Sequence, residues 1–245
     1  PDVVSPAGRA IAQRFSQRSA GIQTAPAPVC TADTRPVVAI FTGFDNKGNK
    51  LQDFESVVKG LGGQVTKSAD DCTHVVFESN KVAKTEKSLV AISRGCIFTT
   101  TKWLTESKRA NCWQDSTKFI VRDRSLEREL GFELPLSIGR AQHSEDAGSK
   151  LLEGKEVFAL KGVGKGNHDA VCHIVEAAGA RFCKRAVGKR RSSSQGDGIL
   201  VIAEPETDTA EIGRLKAAGH RIYDWKAVSS SLLAQERRFT ESFEL

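Results

Sequence analysis

The chain has 245 residues, 39% of them hydrophobic, with 36 Lys and Arg against 30 Asp and Glu, giving a net charge of +6. That length suits one large domain or two ordinary ones with real cores, and no apolar run is long enough to cross a bilayer as a helix. The mildly basic balance favours acidic partners, phosphopeptides or nucleic acid, and no membrane partner is expected. Cys30, Cys72, Cys96, Cys112, Cys172 and Cys183 are dispersed, with no Cys-x-x-Cys pair. That spacing argues against a zinc site or a disulfide scaffold, and six reduced thiols in an intracellular protein are expected. Because the chain opens on Pro1, it reads as part of something longer.

Residues 1–35 differ from the rest. Ser5-Pro6 makes a helix start, and Ala10, Ile11 and Phe15 form one weak apolar stripe to about Arg18. Thr24-Ala25-Pro26-Ala27-Pro28 then reads as linker. From Pro36 a regular order emerges. The apolar run 37–41 predicts a strand, 50–60 a helix carrying Leu51, Phe54, Val57 and Val58, and 64–66 a short strand after Gly62-Gly63. A third strand is expected at 73–77, and a helix opening at Thr85 carries Leu89, Val90 and Ile92 and stops at Gly95. A fourth strand at 96–99 leads to a helix capped by Thr101 and bearing Trp103. Short connections in the order β-α-β-β-α-β-α imply a small, largely parallel sheet with helices on both faces.

The order then returns, with strands at 157–160, 180–183, 199–202 and 220–223 and helices at 168–178, 208–218 and 225–233. Phe158 follows Phe41 by 117 residues, and Gly179 follows Gly62 by 117; Trp225 follows Trp103 by 122. The second copy therefore carries a short insertion, which fits the basic, serine-rich stretch 189–196. That stretch reads as an exposed loop, with nuclear import, phosphorylation or weak contact with DNA phosphates as alternatives. The organisation expected is an N-terminal tail at 1–35, a first repeat at 36–117, an inter-repeat linker at 118–150 and a second repeat at 151–245. The linker alternates charges around Phe119, Ile120, Leu126, Leu130, Phe132 and Leu134. Six apolar side chains need a surface to cover them, so an extended stretch and a short helix should dock the repeats rigidly.

One pair of segments carries recognisable chemistry. Thr42-Gly43 ends the first strand with a hydroxyl and a backbone amide free of a Cβ, a possible anion cradle. Thr85 opens the next helix, which puts Lys87 in its first turn, where the helix dipole also favours negative charge. A hydroxyl, an amide and an ammonium are thus placed to converge on one phosphate. Competing motifs fail. Gly162-Val163-Gly164-Lys165-Gly166 lacks the Ser or Thr that a phosphate loop needs after its lysine, and Asn167 stands where a dinucleotide fingerprint needs its third glycine. Cys172-His173 with His168 offers no second ligand pair for a metal, so packing is the expected role of these side chains. No Ser/His/Asp or paired-carboxylate constellation emerges, so neither catalysis nor a cofactor is expected.

Thr42-Gly43, Leu61-Gly62-Gly63, Thr73-His74-Val75-Val76, Gly95 and Trp103 together resemble a BRCT repeat. Gly154, Ala178-Gly179-Ala180, Gly219 and Trp225 repeat the pattern, so the resemblance covers about residues 36–245. It implies two tandem BRCT repeats, each a four-stranded parallel sheet flanked by helices, packed together. It further implies a nuclear phosphoserine reader in DNA-damage signalling. The linker and the stretch 151–158 look closest to the checkpoint-mediator branch, whose members bind the phosphorylated C-terminal tail of a damage-marked histone variant. By the family motif Thr42, Gly43 and Lys87 hold the phosphate, and Thr85 braces the corner. Lys84 falls where an arginine is common, so bidentate grip on the peptide backbone is weakened. Leu89, Gly166 and Ala227 match the pocket for the third residue after the phosphoserine, and their modest size implies a roomy one. In the second repeat Leu160-Lys161 replaces the hydroxyl-glycine pair, so phosphate binding by this route is not expected there. A DNA-binding module and a phosphate-independent interaction module are the alternative readings.

Overall fold

The computed structural model describes residues 36–44, 49–184 and 199–245. The expected helix at 5–18, the linker at 24–28 and the loop at 189–196 lie outside them. The first half comprises β1 (Val38–Thr42), α1 (Lys50–Gly60), β2 (Gln64–Val65), β3 (His74–Phe77), α2 (Glu86–Ser93), β4 (Ile97–Thr100) and α3 (Thr101–Ala110). Its strands are all parallel in the order β2-β1-β3-β4, with Thr42 in register with Phe77 and Phe77 with Thr100. The second half repeats this with β5 (Glu156–Ala159), α6 (His168–Ala177), β6 (Arg181–Phe182), β7 (Leu200–Ala203), α7 (Thr209–Ala217), β8 (Ile222–Asp224) and α8 (Trp225–Ala234), in the order β6-β5-β7-β8. Between them lie a 3-10 turn at Ser116–Phe119, α4 (Arg124–Leu130) and α5 (Leu134–Asp146).

The linker holds two helices where the sequence predicts one. Asp123 caps α4 by accepting from the Leu126 amide at 3.1 Å, and Gly131, in the left-handed region at φ +60°, ends it after seven residues. Pro135 in the first turn of α5 suits a new start rather than a continuation. Both sheets share a feature without a strand signature in the sequence. An antiparallel bridge, Thr99 to Ile120 in the first and Tyr223 to Glu244 in the second, covers the edge of the last strand.

Strand periodicity sorts side chains into three cores. Val37, Ala39 and Val76 face one way and pack with Val58, Trp103 and Leu104, while Leu160, Val201, Ala203, Leu215 and Ile222 form the equivalent outer core of the second sheet. The alternate residues, Ile40, Val75 and Phe77 in one sheet and Val157, Ala159 and Ile202 in the other, join a single cluster with Leu126, Phe132, Leu134 and Ile138 of the linker. One apolar core therefore runs from the first repeat through the linker into the second, which holds the repeats in fixed relation. Trp103 is an anchor of the outer core, stacked between His74 at 4.6 Å and Trp113 at 4.9 Å between ring centroids. Trp225 is only half-buried.

The seam is built on α2, which packs against α5, α6 and α8. Gly95 permits the approach of α5, because a Cβ there would stand 3.0 Å from the Gln142 backbone, and its φ of +67° is one that residues with a Cβ rarely adopt. Arg140 donates to the Ala234 carbonyl at 3.0 Å, tying the linker to the end of α8, and within the second repeat Arg237 donates to the Leu151 carbonyl at 2.8 Å. Among the described residues, Cys72, Cys96, Cys172 and Cys183 are free thiols.

Candidate functional site

Parallel strands with crossover helices leave the helix N-termini and the strand C-termini on one edge of each sheet, where backbone amides favour anions. At that edge of the first sheet Thr42 is the last residue of β1 and is half-buried. Gly43 follows with φ +76°, exposed, with nothing within 4 Å of where a Cβ would stand. The turn is pinned by aromatic contacts on both sides: Phe41 meets Phe44 edge-on at 5.5 Å, and Phe44 meets Phe54 of α1 at 6.2 Å.

The lysines arrive on the β3–α2 connection. Thr85 is the N-cap of α2, extended at φ −89° and ψ 161°, and accepts from the Ser88 amide at 3.3 Å. Its hydroxyl also lies 3.1 Å from that of the buried Ser88. Lys84 and Lys87 flank this cap, both exposed and without an ion pair among the described residues. The cap holds the first helical turn, and with it the direction in which Lys87 leaves the helix. The connection itself is braced by Asp123, which accepts from the Val82 amide at 3.0 Å, and by Lys50, 3.7 Å from Glu78. Thr42, Gly43, Lys84, Thr85 and Lys87 thus share one sheet edge.

Of the remaining site residues, Leu89 and Ala227 lie on helices that pack together at the seam. Leu89 of α2 and Ala227 of α8 are closed off, at 1% and 0% exposure, whereas Gly166 is exposed at φ +80° in the turn after β5.

The second repeat fills the equivalent corner from within. Asp208, 7% exposed, accepts from the Gly162 amide at 2.9 Å and from the Glu204 amide at 3.0 Å. Its carboxylate occupies amides that an incoming anion would need, and Leu160, two residues before Gly162, is buried in the outer core. Sequence reasoning misses this residue. The lack of a hydroxyl-glycine pair is visible along the chain, but a partner 46 residues away is not.

His173, expected to serve only packing, is instead a cross-repeat clasp. Its Nδ1 lies 2.7 Å from Glu86 Oε1 and its Nε2 2.9 Å from Asp70 Oδ2, so a ring on α6 joins two carboxylates of the first repeat. The hydrogen bond to Glu86, followed by that to Asp70, raises the imidazole pKa against the opposing effect of burial. Asp70 is correspondingly held below the usual carboxylate range, chiefly by His173, with Arg94 at 3.9 Å contributing. No group of three or more His, Cys, Asp and Glu side chains suited to a metal occurs among the described residues.

Comparison with known proteins agrees with this architecture. Residues 23–121 match the family described as the Regulator of Ty1 transposition protein 107 BRCT domain. The chain is 33% identical over 131 residues to Mediator of DNA damage checkpoint protein 1 of Macaca mulatta, covering 53% of this chain and 5% of that protein. It is 33% identical over 197 residues to PAX-interacting protein 1 of Mus musculus, covering 77% and 18%. The chain thus spans a small part of the length of these relatives. Among solved structures, the BRCT5-BRCT6 domains of S. pombe Brc1 superpose with a TM-score of 0.67 at 23% identity, covering 85% of this chain and 99% of that one. Rtt107p, solved in complex with a phosphorylated histone, superposes with a TM-score of 0.57 at 13% identity, covering 85% and 92%. Two sheets of identical strand order, joined through one core and matched in sequence to checkpoint mediators, make this chain a tandem BRCT module related to the BRCT pairs of those mediators and of Rtt107 and Brc1.

Proposed function

We propose that the module is a non-catalytic reader of phosphoserine peptides in nuclear DNA-damage signalling, with the phosphorylated C-terminal tail of a histone as its ligand. The observation that carries this reading is the shared sheet edge. There Thr42 offers a hydroxyl, Gly43 an unobstructed amide, and Lys87 an exposed ammonium, without an ion pair among the described residues, on a capped helix turn. The phosphorylated histone bound by Rtt107p supports the choice of partner.

A phosphate near two negative charges gains roughly 1.5–3 kcal/mol per charge-assisted hydrogen bond, less its desolvation. Three such donors and a small apolar contact at the seam, reduced by the entropy of ordering a flexible tail, give micromolar to sub-micromolar affinity. Lys84 then meets the peptide beyond the phosphoserine as a point charge. The residues that follow run past the exposed Gly166, while Leu89 and Ala227, closed off at 1% and 0% exposure, offer them no surface.

The test is a fluorescence-polarisation titration with a phosphorylated histone tail peptide and its plain counterpart. Thr42→Ala and Lys87→Met should each weaken the phosphorylated peptide by about tenfold or more, without changing the far-ultraviolet spectrum. Equal affinity for the plain peptide would refute the reading. So would binding to duplex DNA that survives both substitutions and collapses with salt, the outcome the nucleic-acid alternative requires.

A further inference from the structure

A second surface stands apart from the phosphate edge. The linker helices α4 and α5 and the segment after α8 line an open surface pocket of about 560 Å³. Four guanidinium groups line it, those of Arg122, Arg124, Arg128 and Arg140. Two are committed within the fold. Arg122 Nε is 3.3 Å from Glu127 Oε1, whose carboxylate also accepts from the Leu134 amide at 3.0 Å, and Arg140 is 2.7 Å from Glu236. The other two are not: Arg124 and Arg128 are exposed and make no ion pair among the described residues.

Their placement is unusual for a merely solvating surface. Four residues apart on one helix, they are neighbours on the same face. Arg124 also stands in the first turn of α4, where the helix dipole disfavours a cation. Two large apolar side chains lie beside them. Phe132 is buried against the core, and Leu136, at 55% exposure, is the one mostly exposed large hydrophobic side chain among the described residues.

We propose that this pocket binds an acidic peptide segment that carries one bulky apolar side chain. Carboxylates of the segment meet Arg124 and Arg128 in fork-to-fork pairs, and the apolar side chain covers Leu136 above Phe132. Charge complementarity selects an acid. The three carboxylates of Glu127, Glu133 and Glu236 select a peptide, whose acids can be spaced to avoid them, over a nucleic-acid backbone, whose evenly spaced phosphates would meet them face on. The segment belongs to another protein, so that one module holds a phosphorylated mark at the sheet edge and a separate acidic partner at the linker.

The experiment uses the full 245-residue chain and a fluorescein-labelled peptide of glutamates flanking a central Leu-Phe pair. A second peptide has glutamine for every glutamate, and a labelled DNA duplex is the third ligand. The acidic peptide should bind. The charge-reversed double variant Arg124→Glu, Arg128→Glu and the variant Leu136→Asp should each weaken it by about tenfold or more. All three positions are exposed, and a thermal melt matching the unmodified chain confirms that the fold is intact. Thr42→Ala and Lys87→Met should leave this binding unchanged, and the arginine double variant should leave phosphopeptide binding unchanged, so the two readings fail separately. No binding of the acidic peptide, equal binding of the glutamine peptide, indifference to the arginine reversal, or tighter arginine-dependent binding of the duplex would each overturn the proposal.

Discussion

Replacing Thr85 with alanine tests how the phosphate edge is held together. Thr85 does two things: its hydroxyl accepts from the Ser88 amide at 3.3 Å, capping α2, and it lies 3.1 Å from the hydroxyl of Ser88, which has no exposed surface. Loss of a threonine cap costs about 1 kcal/mol, and a buried hydroxyl left without its partner adds a further ~1 kcal/mol. For a chain of this size, about 2 kcal/mol lowers the melting temperature by roughly 4–8 °C. Thr85→Ser retains the cap oxygen and should recover most of the loss. Thermal and urea unfolding of the three proteins measure these differences. The first turn of α2 carries Lys87, so Thr85→Ala should also weaken the phosphorylated histone peptide, although Thr85 need not touch it. If the alanine and serine variants melt together with the parent, the cap contributes nothing and the account of how Lys87 is aimed is wrong.

Two further outcomes follow from the seam. Gly95→Ala places a methyl group against the Gln142 backbone and forces a left-handed φ on alanine, so it should destabilise by about 2 kcal/mol or more in urea unfolding; a neutral effect would show that α5 does not press on that turn. The His173 clasp predicts a pH signature. Its pKa is raised in the folded protein, so the stability it contributes is fully present below the unfolded value of about 6.5 and fades as pH rises through the folded value. Asp70, with its pKa lowered, works in the opposite sense, contributing above its unfolded value and losing that contribution as pH falls through the folded one. His173→Gln should therefore differ from the parent most in the window between the two folded values, and a difference that stays flat from mildly acid to alkaline pH would remove the clasp.

What can be read along the chain is what depends on neighbours in sequence. The apolar run ending in Thr42-Gly43, the cap at Thr85 and the glycine stop at Gly95 are local events, and each falls within a residue or so of its observed place. The repeated order of strands and helices follows from the same periodicities, which fix the faces of each strand before any strand has a partner. Two linker helices are harder to separate. Gly131 and Pro135 are weak stops individually, and the two helices are told apart only once Leu126 and Leu134 are seen to enter the same core.

Adjacent residues are enough to specify two copies of one parallel α/β unit and the residue types of an anion cradle in the first copy, because strand and helix periods and turn chemistry are local. Packing between distant segments settles the rest: Asp208 fills the equivalent corner of the second copy, His173 bridges Glu86 and Asp70, and Leu136 remains uncovered beside Arg124 and Arg128. Each of these depends on which surfaces the folded chain brings together, and a pairing across about a hundred residues leaves no trace in local propensity or pattern.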